Sequence, residues 1–332
     1  MQTKMQYFNQ YYFSKEDQHH ARLARPTAAS VRAATTSLEA CFLQNIDESL
    51  KLIGKEDKIG ILLSGGVDSS LLLAMLSRYK DKEITCFTAL TEKDDPDVLP
   101  SKQVAHAFNV RWIKCRISRQ DLDKQLPPLL KLSHGGLYDT AANLALDRCM
   151  SYCKKEGINN LWTGSGLDMM FGGGADPTRF KSLSKDEFHN LFWNFAFDLL
   201  INRFYKQTGD ELNSLASRYG VKVIMPFENL EAILSARHIP ADMFFRYNED
   251  KYPVRLLARR YGVPLHLSRR QKDPLQHSSG IFDLLREYMY DTLPDLVQDT
   301  INFRMTKNYF KTNPNTDIQV FLTLLAELNT AT

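Results

Sequence analysis

The sequence predicts an α/β fold, a parallel sheet flanked by helices and followed by a mostly helical carboxyl-terminal part. Three observations carry this. Between residues 59 and 163, short apolar runs alternate with segments of helical periodicity, as in βαβ units whose sheet is covered on both faces. The first run, Ile59 to Leu63, stops at Ser64-Gly65-Gly66, and a second apolar stretch begins behind Asp68-Ser69-Ser70, which reads as a strand-to-helix turn. Beyond Gly174 only residues 221–225 read as a strand.

Taken in order, Leu38, Cys41, Phe42, Asn45 and Ile46 recur at helical spacing and predict a helix over 37–52. Strands are expected at 59–63, 84–90, 110–117 and 160–163, with helices at 67–79, 100–108, 119–132 and 140–156 between them. The later helices are expected at 185–206, 211–218, 229–238, 250–261 and 281–290. Residues 1–37 lack sustained periodicity and are read as an amino-terminal extension. Residues 38–330 form one domain, with its sheet part over 38–175 and its helical part over 176–330. No Gly/Ser- or Pro-rich spacer separates the two parts.

Bulk properties exclude several classes. No stretch of about 18 apolar residues is present, so no membrane span is expected. The first residues lack the apolar core of a secretory signal, and a cytoplasmic location is expected. The net charge of +3 comes from residues 1–37, where Lys4, Lys15, Arg22, Arg25 and Arg32 face only Glu16 and Asp17. The remainder is neutral and argues against a nucleic-acid partner. Cys86 and Cys115 lie in strand-like runs and read as buried thiols. Cys149 and Cys153 share a helical face without further ligands nearby, which favours core packing over metal.

The glycine turn carries chemistry. A strand that enters a helix at Val67 leaves unpaired N–H groups, and the helix dipole favours an anion beside them. Glycine lets the backbone of Leu63 to Ser70 approach a ligand, while Ser64, Ser69 and Ser70 add hydroxyls, so phosphate is the natural occupant. The turn is neither the lysine-containing phosphate loop nor the G-x-G-x-x-G dinucleotide turn. Asp68, an acid beside phosphate, makes sense if it holds a Mg²⁺ that bridges phosphate oxygens. A second strand end, "LWTGSGLDMMFGG" (Leu161 to Gly173), delivers Asp168 to the same sheet edge, where both acids could share one cation.

SGGVDSS resembles the pyrophosphate loop of the N-type ATP pyrophosphatases, which cleave ATP to AMP and pyrophosphate while adenylating a substrate oxygen. "LWTGSGLDMMFGG" resembles the asparagine synthetase signature G-E-G-x-D-E-x-F-G-G. "MPFENLEAI" is similar to that family's P-F-L-D helix, and "EDKYPVRLLARRYGVPLHLSRRQKDPLQHSSG" to its E-K-x-x-L-R…R-Q-K-x-x-F…G segment. The resemblance spans roughly residues 38 to 300. It implies the adenine-nucleotide alpha-hydrolase-like fold, with ATP and Mg²⁺ as cofactors. Residues 63–66, Asp68, Ser69, Ser70, Gly164, Arg255 and Arg270 would bind ATP or pyrophosphate, Asp68 and Asp168 the metal. Lys272 falls where the family has its catalytic lysine, and Lys251, one helical turn before Arg255, would form a second clamp.

Two departures qualify that resemblance. Position 2 is Gln2 and only about forty residues precede the synthetase-like region, so no glutaminase with a leading cysteine is expected. Ser165 stands where asparagine synthetases have a Glu that assists deprotonation and β-lactam synthetases a Tyr, and Met169 replaces a further acid. Ser165 is then a weak base, and Glu187 or Glu228 are candidate neighbouring acids. The expected function is an AMP- and pyrophosphate-forming amide synthetase that joins a small-molecule carboxylate, or a peptide, to an amine or ammonia, with cyclisation within one substrate allowed. The chain is compatible with a homodimer. A tRNA-modifying thiolase or ligase and a non-catalytic nucleotide-binding homologue are the alternatives.

Overall fold

Ser30 starts the first helix. In a computed structural model its backbone is extended, and its hydroxyl oxygen accepts from the Ala33 N–H at 3.2 Å, satisfying an end the helix cannot pair itself. The helix, α1 (Val31–Leu50), therefore begins ahead of residue 37 and buries Ala34 and Thr35 together with Leu38, Phe42 and Ile46. The N–H groups of Thr27 and Ala28 donate to the His238 carbonyl at 2.9 and 3.0 Å. The structure describes residues 26–54, 58–91, 96–130, 137–173, 184–197, 209–271 and 275–292.

The alternation then unfolds as β1 (Ile59–Leu62), α2 (Val67–Leu76), β2 (Ile84–Leu90), α3 (Val98–Ala107), β3 (Arg111–Arg116), α4 (Arg119–Leu130), α5 (Leu137–Lys155) and β4 (Asn160–Trp162). Next come α6 (Leu167–Phe171), α7 (Lys185–Phe197), α8 (Gly209–Tyr219), β5 (Lys222–Ile224), α9 (Leu230–Arg237) and a 3₁₀ turn (Ala241–Phe244). The chain ends, as described, in α10 (Tyr252–Arg260), α11 (Leu265–Arg269), α12 (Leu275–Ser278) and α13 (Ile281–Thr292). The fold is an α/β parallel sheet flanked by helices, with a mostly helical second half.

The five strands are all parallel in the order β3-β2-β1-β4-β5. The chain runs outward from β1 to β3, then returns to place β4 on the other side of β1. Strand order reverses between β1 and β4, which is where open parallel sheets bind ligands, outside the carboxyl ends of the strands. Both glycine turns lie at that point, one after each strand.

The pleat explains the two cores. Cys86, Trp162 and Ile224 face one layer, built from α1, α2, α9 and α10. Their neighbours Phe87, Leu161 and Val223 face the other, built from α4, α5, α8 and α13. A sheet covered on both faces has no polar side, so its strands read as near-continuous apolar runs. Helix α2 is buried along its whole length, from Val67 to Leu76. From Leu71 to Leu76 it is apolar all round, and each of its leucines contributes roughly 1.5–3 kcal/mol by burial. That anchoring holds the turn ahead of it still.

Phe42 of α1 lies fully buried against Phe227, which follows β5, with ring centroids 4.5 Å apart. Truncating it leaves a cavity between α1 and the turn after β5. Phe42→Ala should therefore cost about 3–5 kcal/mol in urea denaturation, with cooperativity retained.

Candidate active site

The first turn is held by its own donors and acceptors. The Leu63 N–H donates to the Phe87 carbonyl at 2.8 Å, and the Thr88 hydroxyl donates to the Leu63 carbonyl at 2.7 Å. The Ser69 and Ser70 hydroxyls donate to the Gly66 carbonyl at 3.2 and 2.8 Å, and the Ser64 N–H donates to Ser69 Oγ at 3.2 Å. Gly65 has φ +71°, and a Cβ there would meet the Ser101 nitrogen at 2.7 Å at the start of α3. Only glycine satisfies both the dihedral and the contact.

The second turn sits directly on the first. A Cβ on Gly164 would lie 2.6 Å from the Asp68 carbonyl carbon and 2.8 Å from the Ser69 nitrogen, so the two backbones touch where α2 begins. Asp68 occupies the first turn of α2 and Asp168 the first turn of α6. Both carboxylates meet one cation, and that cation is protein. Lys251 Nζ lies 2.9 and 2.8 Å from the two oxygens of Asp68 and 2.7 Å from Asp168 Oδ1. Lys251 is 0% exposed.

A buried ammonium costs several kcal/mol in desolvation, which two carboxylates at hydrogen-bond distance offset. The segment that aims it is braced. Arg246 and Glu249 exchange backbone hydrogen bonds of 3.0 and 2.8 Å around Tyr247 and Asn248, both at positive φ, a tight turn of the hairpin type. The Glu249 carboxylate accepts from Arg259 and from Arg269 Nε, the latter at 2.9 Å. Lys251 itself adopts φ +49° and leads into α10.

The remaining sequence candidates divide. Arg255, 1% exposed, donates to the Asp250 carbonyl at 2.7 Å, to the Asp250 carboxylate, and to the Ser268 and Arg270 carbonyls at 2.7 and 2.9 Å. Its guanidinium thus braces the segment that presents Lys251. Arg270 pairs with Asp97 at 2.6 Å, just ahead of the α3 residues that touch Gly65, and so stands beside the first turn. Lys272 lies outside the described residues. Ser165 is half-buried on the second turn. Glu187 is exposed, and its carboxylate accepts from the Ser184 N–H and hydroxyl at 2.9 and 2.7 Å, which holds its proton affinity below the usual carboxylate range. It caps α7 and is not part of the site. Glu228 is buried under Gly166, and burial pushes its carboxyl up to about 8.

Asp68 and Asp168 reach a common point, which is the donor geometry that a hard cation completed by phosphate oxygens requires. Among the described residues no group of three or more His, Cys, Asp or Glu side chains could hold a metal by itself. Replacing the bridging ammonium should expose that repulsion. Lys251→Met should destabilise the chain by about 3 kcal/mol or more in urea denaturation, since two carboxylates lose their shared counter-charge. An unchanged midpoint would contradict the bridge.

The chain is similar in sequence to known proteins. A putative glutamine-hydrolysing asparagine synthetase of Methanocaldococcus jannaschii is 25% identical over 195 residues, 58% of this chain and 35% of its own length. Asparagine synthetase 1 of Arabidopsis thaliana is 24% identical over 279 residues, 78% of this chain and 45% of its own. That of Brassica oleracea is 24% identical over 254 residues, 71% of this chain and 41% of its own. The chain thus spans less than half the length of these relatives. A solved U34-tRNA thiolase of Methanococcus maripaludis, with its 4Fe-4S cluster, aligns at 15% identity and a TM-score of 0.36 over 88% of this chain and 80% of that one, a likeness that carries no argument. The family model for asparagine synthase matches residues 44–219, from the end of α1 through both glycine turns to α8. That is more than half of the chain, which therefore belongs to the asparagine synthase family.

Proposed function

We propose that the chain is an ATP-dependent, AMP- and pyrophosphate-forming amide synthetase. The observation that carries this reading is the convergence of Asp68 and Asp168 on one cation, at the break in strand order and beside an N–H-rich turn. ATP is the substrate whose phosphates suit that turn.

In this reading the backbone of residues 63–66 and the start of α2 cradle the leaving pyrophosphate. Asp68 and Asp168 would hold Mg²⁺, which supplies positive charge against the phosphates. Lys251, which sits between the two acids, would move onto a phosphate when metal and nucleotide bind and supply a second positive charge there. Arg270 adds charge from the α3 side, and Arg255 keeps the Lys251 segment in position. Lys272 is proposed to stabilise the charge that develops as pyrophosphate leaves. A carboxylate oxygen attacks the α-phosphorus, the bond to pyrophosphate breaks, and an amine or ammonia then displaces AMP from the acyl carbon.

The thiolase alternative needs a reactive thiolate. Burial pushes the thiols of Cys86, Cys149 and Cys153 up, and Cys41 likewise, which favours packing roles. No described helix is long and apolar enough to cross a membrane.

The test is pyrophosphate exchange into ATP by the purified chain with Mg²⁺ and a library of carboxylic acids. At least one acid should support exchange, with AMP and not ADP as the nucleotide product. Asp68→Asn and Asp168→Asn should each abolish exchange in folded protein, and Lys272→Ala should slow it on the order of a hundredfold. Exchange that survives either Asn substitution, or ADP as product, would overturn the assignment.

A further inference from the structure

The point shared by Asp68 and Asp168 is open to water on one side and filled by protein on the other. The Asp168 side chain is 37% exposed, so an ion in solution can reach it, whereas Lys251 is 0% and Asp68 8% exposed. What stands between the acids is therefore decided by occupancy and not by access. Lys251 Nζ contacts both oxygens of Asp68 and Oδ1 of Asp168, all within 2.9 Å. Mg²⁺ requires oxygens at about 2.1 Å in a near-octahedral shell, so an ion held by both carboxylates would take the oxygens the ammonium uses. Two cations crowded onto the same oxygens repel one another strongly in a poorly solvated place.

The ammonium has little freedom to leave. Glu249 and Asp250, the two residues ahead of it, are held by Arg259 and Arg269 and by Arg255. On its other side α10 packs on α1 and α2 through Val254, Leu257 and Ala258. With the backbone fixed at both ends, the ammonium moves only along the arc of its own side chain. Pushed off the acids by a bare ion, it would stay in the interior without the counter-charge they supply, and that loss opposes the ion. Nucleotide changes the balance, because its phosphates bring negative charge to the N–H-rich turn beside the acids and offer the ammonium a new partner.

Resting on the amide synthetase reading for the identity of metal and nucleotide, we infer that Lys251 is a tethered counter-ion that keeps free divalent cations out of the acid pair and admits metal only together with nucleotide. The ion pair is thus a gate on the order of entry. The acids carry the protein's own cation until phosphate is present to receive it. Coupling of this kind is reciprocal, so metal in turn strengthens the binding of nucleotide.

Equilibrium dialysis of the full chain against Mn²⁺, which takes the same oxygen ligands as Mg²⁺, tests the gate. Wild type should retain Mn²⁺ when ATP is present and not when it is omitted. Lys251→Met should retain Mn²⁺ without ATP, at least about tenfold more tightly than wild type, because the ion replaces the counter-charge the acids have lost. Adding Asp168→Asn to that variant should abolish the gain, which places the ion between the two acids. The contrast should also appear in stability, with Mn²⁺ raising the urea midpoint of Lys251→Met and leaving that of wild type in place. Lys251→Gln, uncharged but able to donate a hydrogen bond, repeats the comparison where the methionine variant does not fold. Free Mn²⁺ retained by wild type as tightly as by these variants, or retained by none of the three, would overturn the gate. These arms need no nucleotide, so they stand apart from the synthetase reading. Mn²⁺ gained by Lys251→Met, in a chain whose wild type binds no ATP and supports no exchange, would uphold the exclusion and overturn that reading instead.

Discussion

The ammonium of Lys251 between the carboxylates of Asp68 and Asp168 is the interaction on which the rest of the structure depends. It joins α2, α6 and the segment ahead of α10 at one point, with the ammonium and Asp68 buried and Asp168 reaching toward solvent. Two acids that close would repel, and a lone buried ammonium would be costly to desolvate, so each of the three makes the others tolerable. The surrounding charges serve this arrangement. Glu249 between Arg259 and Arg269, and Asp250 against Arg255, fix the residues immediately before Lys251 in a conformation that includes a left-handed lysine. The pull of the paired charges and the bracing together hold a backbone that an isolated chain would rarely adopt.

Glycine sets the spacing that lets those charges meet. Gly164 allows backbone to touch backbone between the two turns, and Gly173 lies so close to Asp168 that a Cβ there would fall 2.1 Å from its Oδ1. Gly166 does the same for Glu228. Gly164, Gly166 and Gly173 each leave out a side chain where an acid or a peptide must pass, and the sheet beneath supplies the rigid base. The parallel order, with β1 and β4 adjacent and connected outward in opposite directions, makes their carboxyl ends diverge in connectivity while remaining neighbours in space. A polar site therefore sits on a base formed by the central strands and by α2, which is buried along its whole length.

The fold was largely legible because its signals are local. All five strands lie within one or two residues of the apolar runs in the sequence, because the inner strands are buried on both faces and the edge strands keep apolar residues among charged ones. The start of α1 was less legible, because Ser30 acts through a single capping bond and leaves no mark in the hydrophobic pattern. The site was half legible. Asp68 and Asp168 stand out as acids in glycine turns, and a sequence shows which turn carries which acid. It does not show that Lys251 reaches them both, a contact between residues far apart in the chain. The bracing of Arg255 is equally invisible in helical spacing, because the carbonyls of Ser268 and Arg270 that hold it belong to a later segment. Glu228 could be named only as a nearby acid, because its burial under Gly166 arises from the pairing of β4 with β5.

The account turns on whether the point shared by Asp68, Asp168 and Lys251 is where ATP and its metal bind. The most direct measurement is anomalous diffraction from crystals of the chain grown with Mn²⁺ and a non-hydrolysable ATP analogue, Mn²⁺ taking the same oxygen ligands as Mg²⁺. The account predicts a manganese peak between the Asp68 and Asp168 carboxylates, bonded to phosphate oxygens, with the Lys251 ammonium moved off that point and onto a phosphate. A nucleotide bound elsewhere, or Lys251 still bridging both acids with the nucleotide in place, would contradict it.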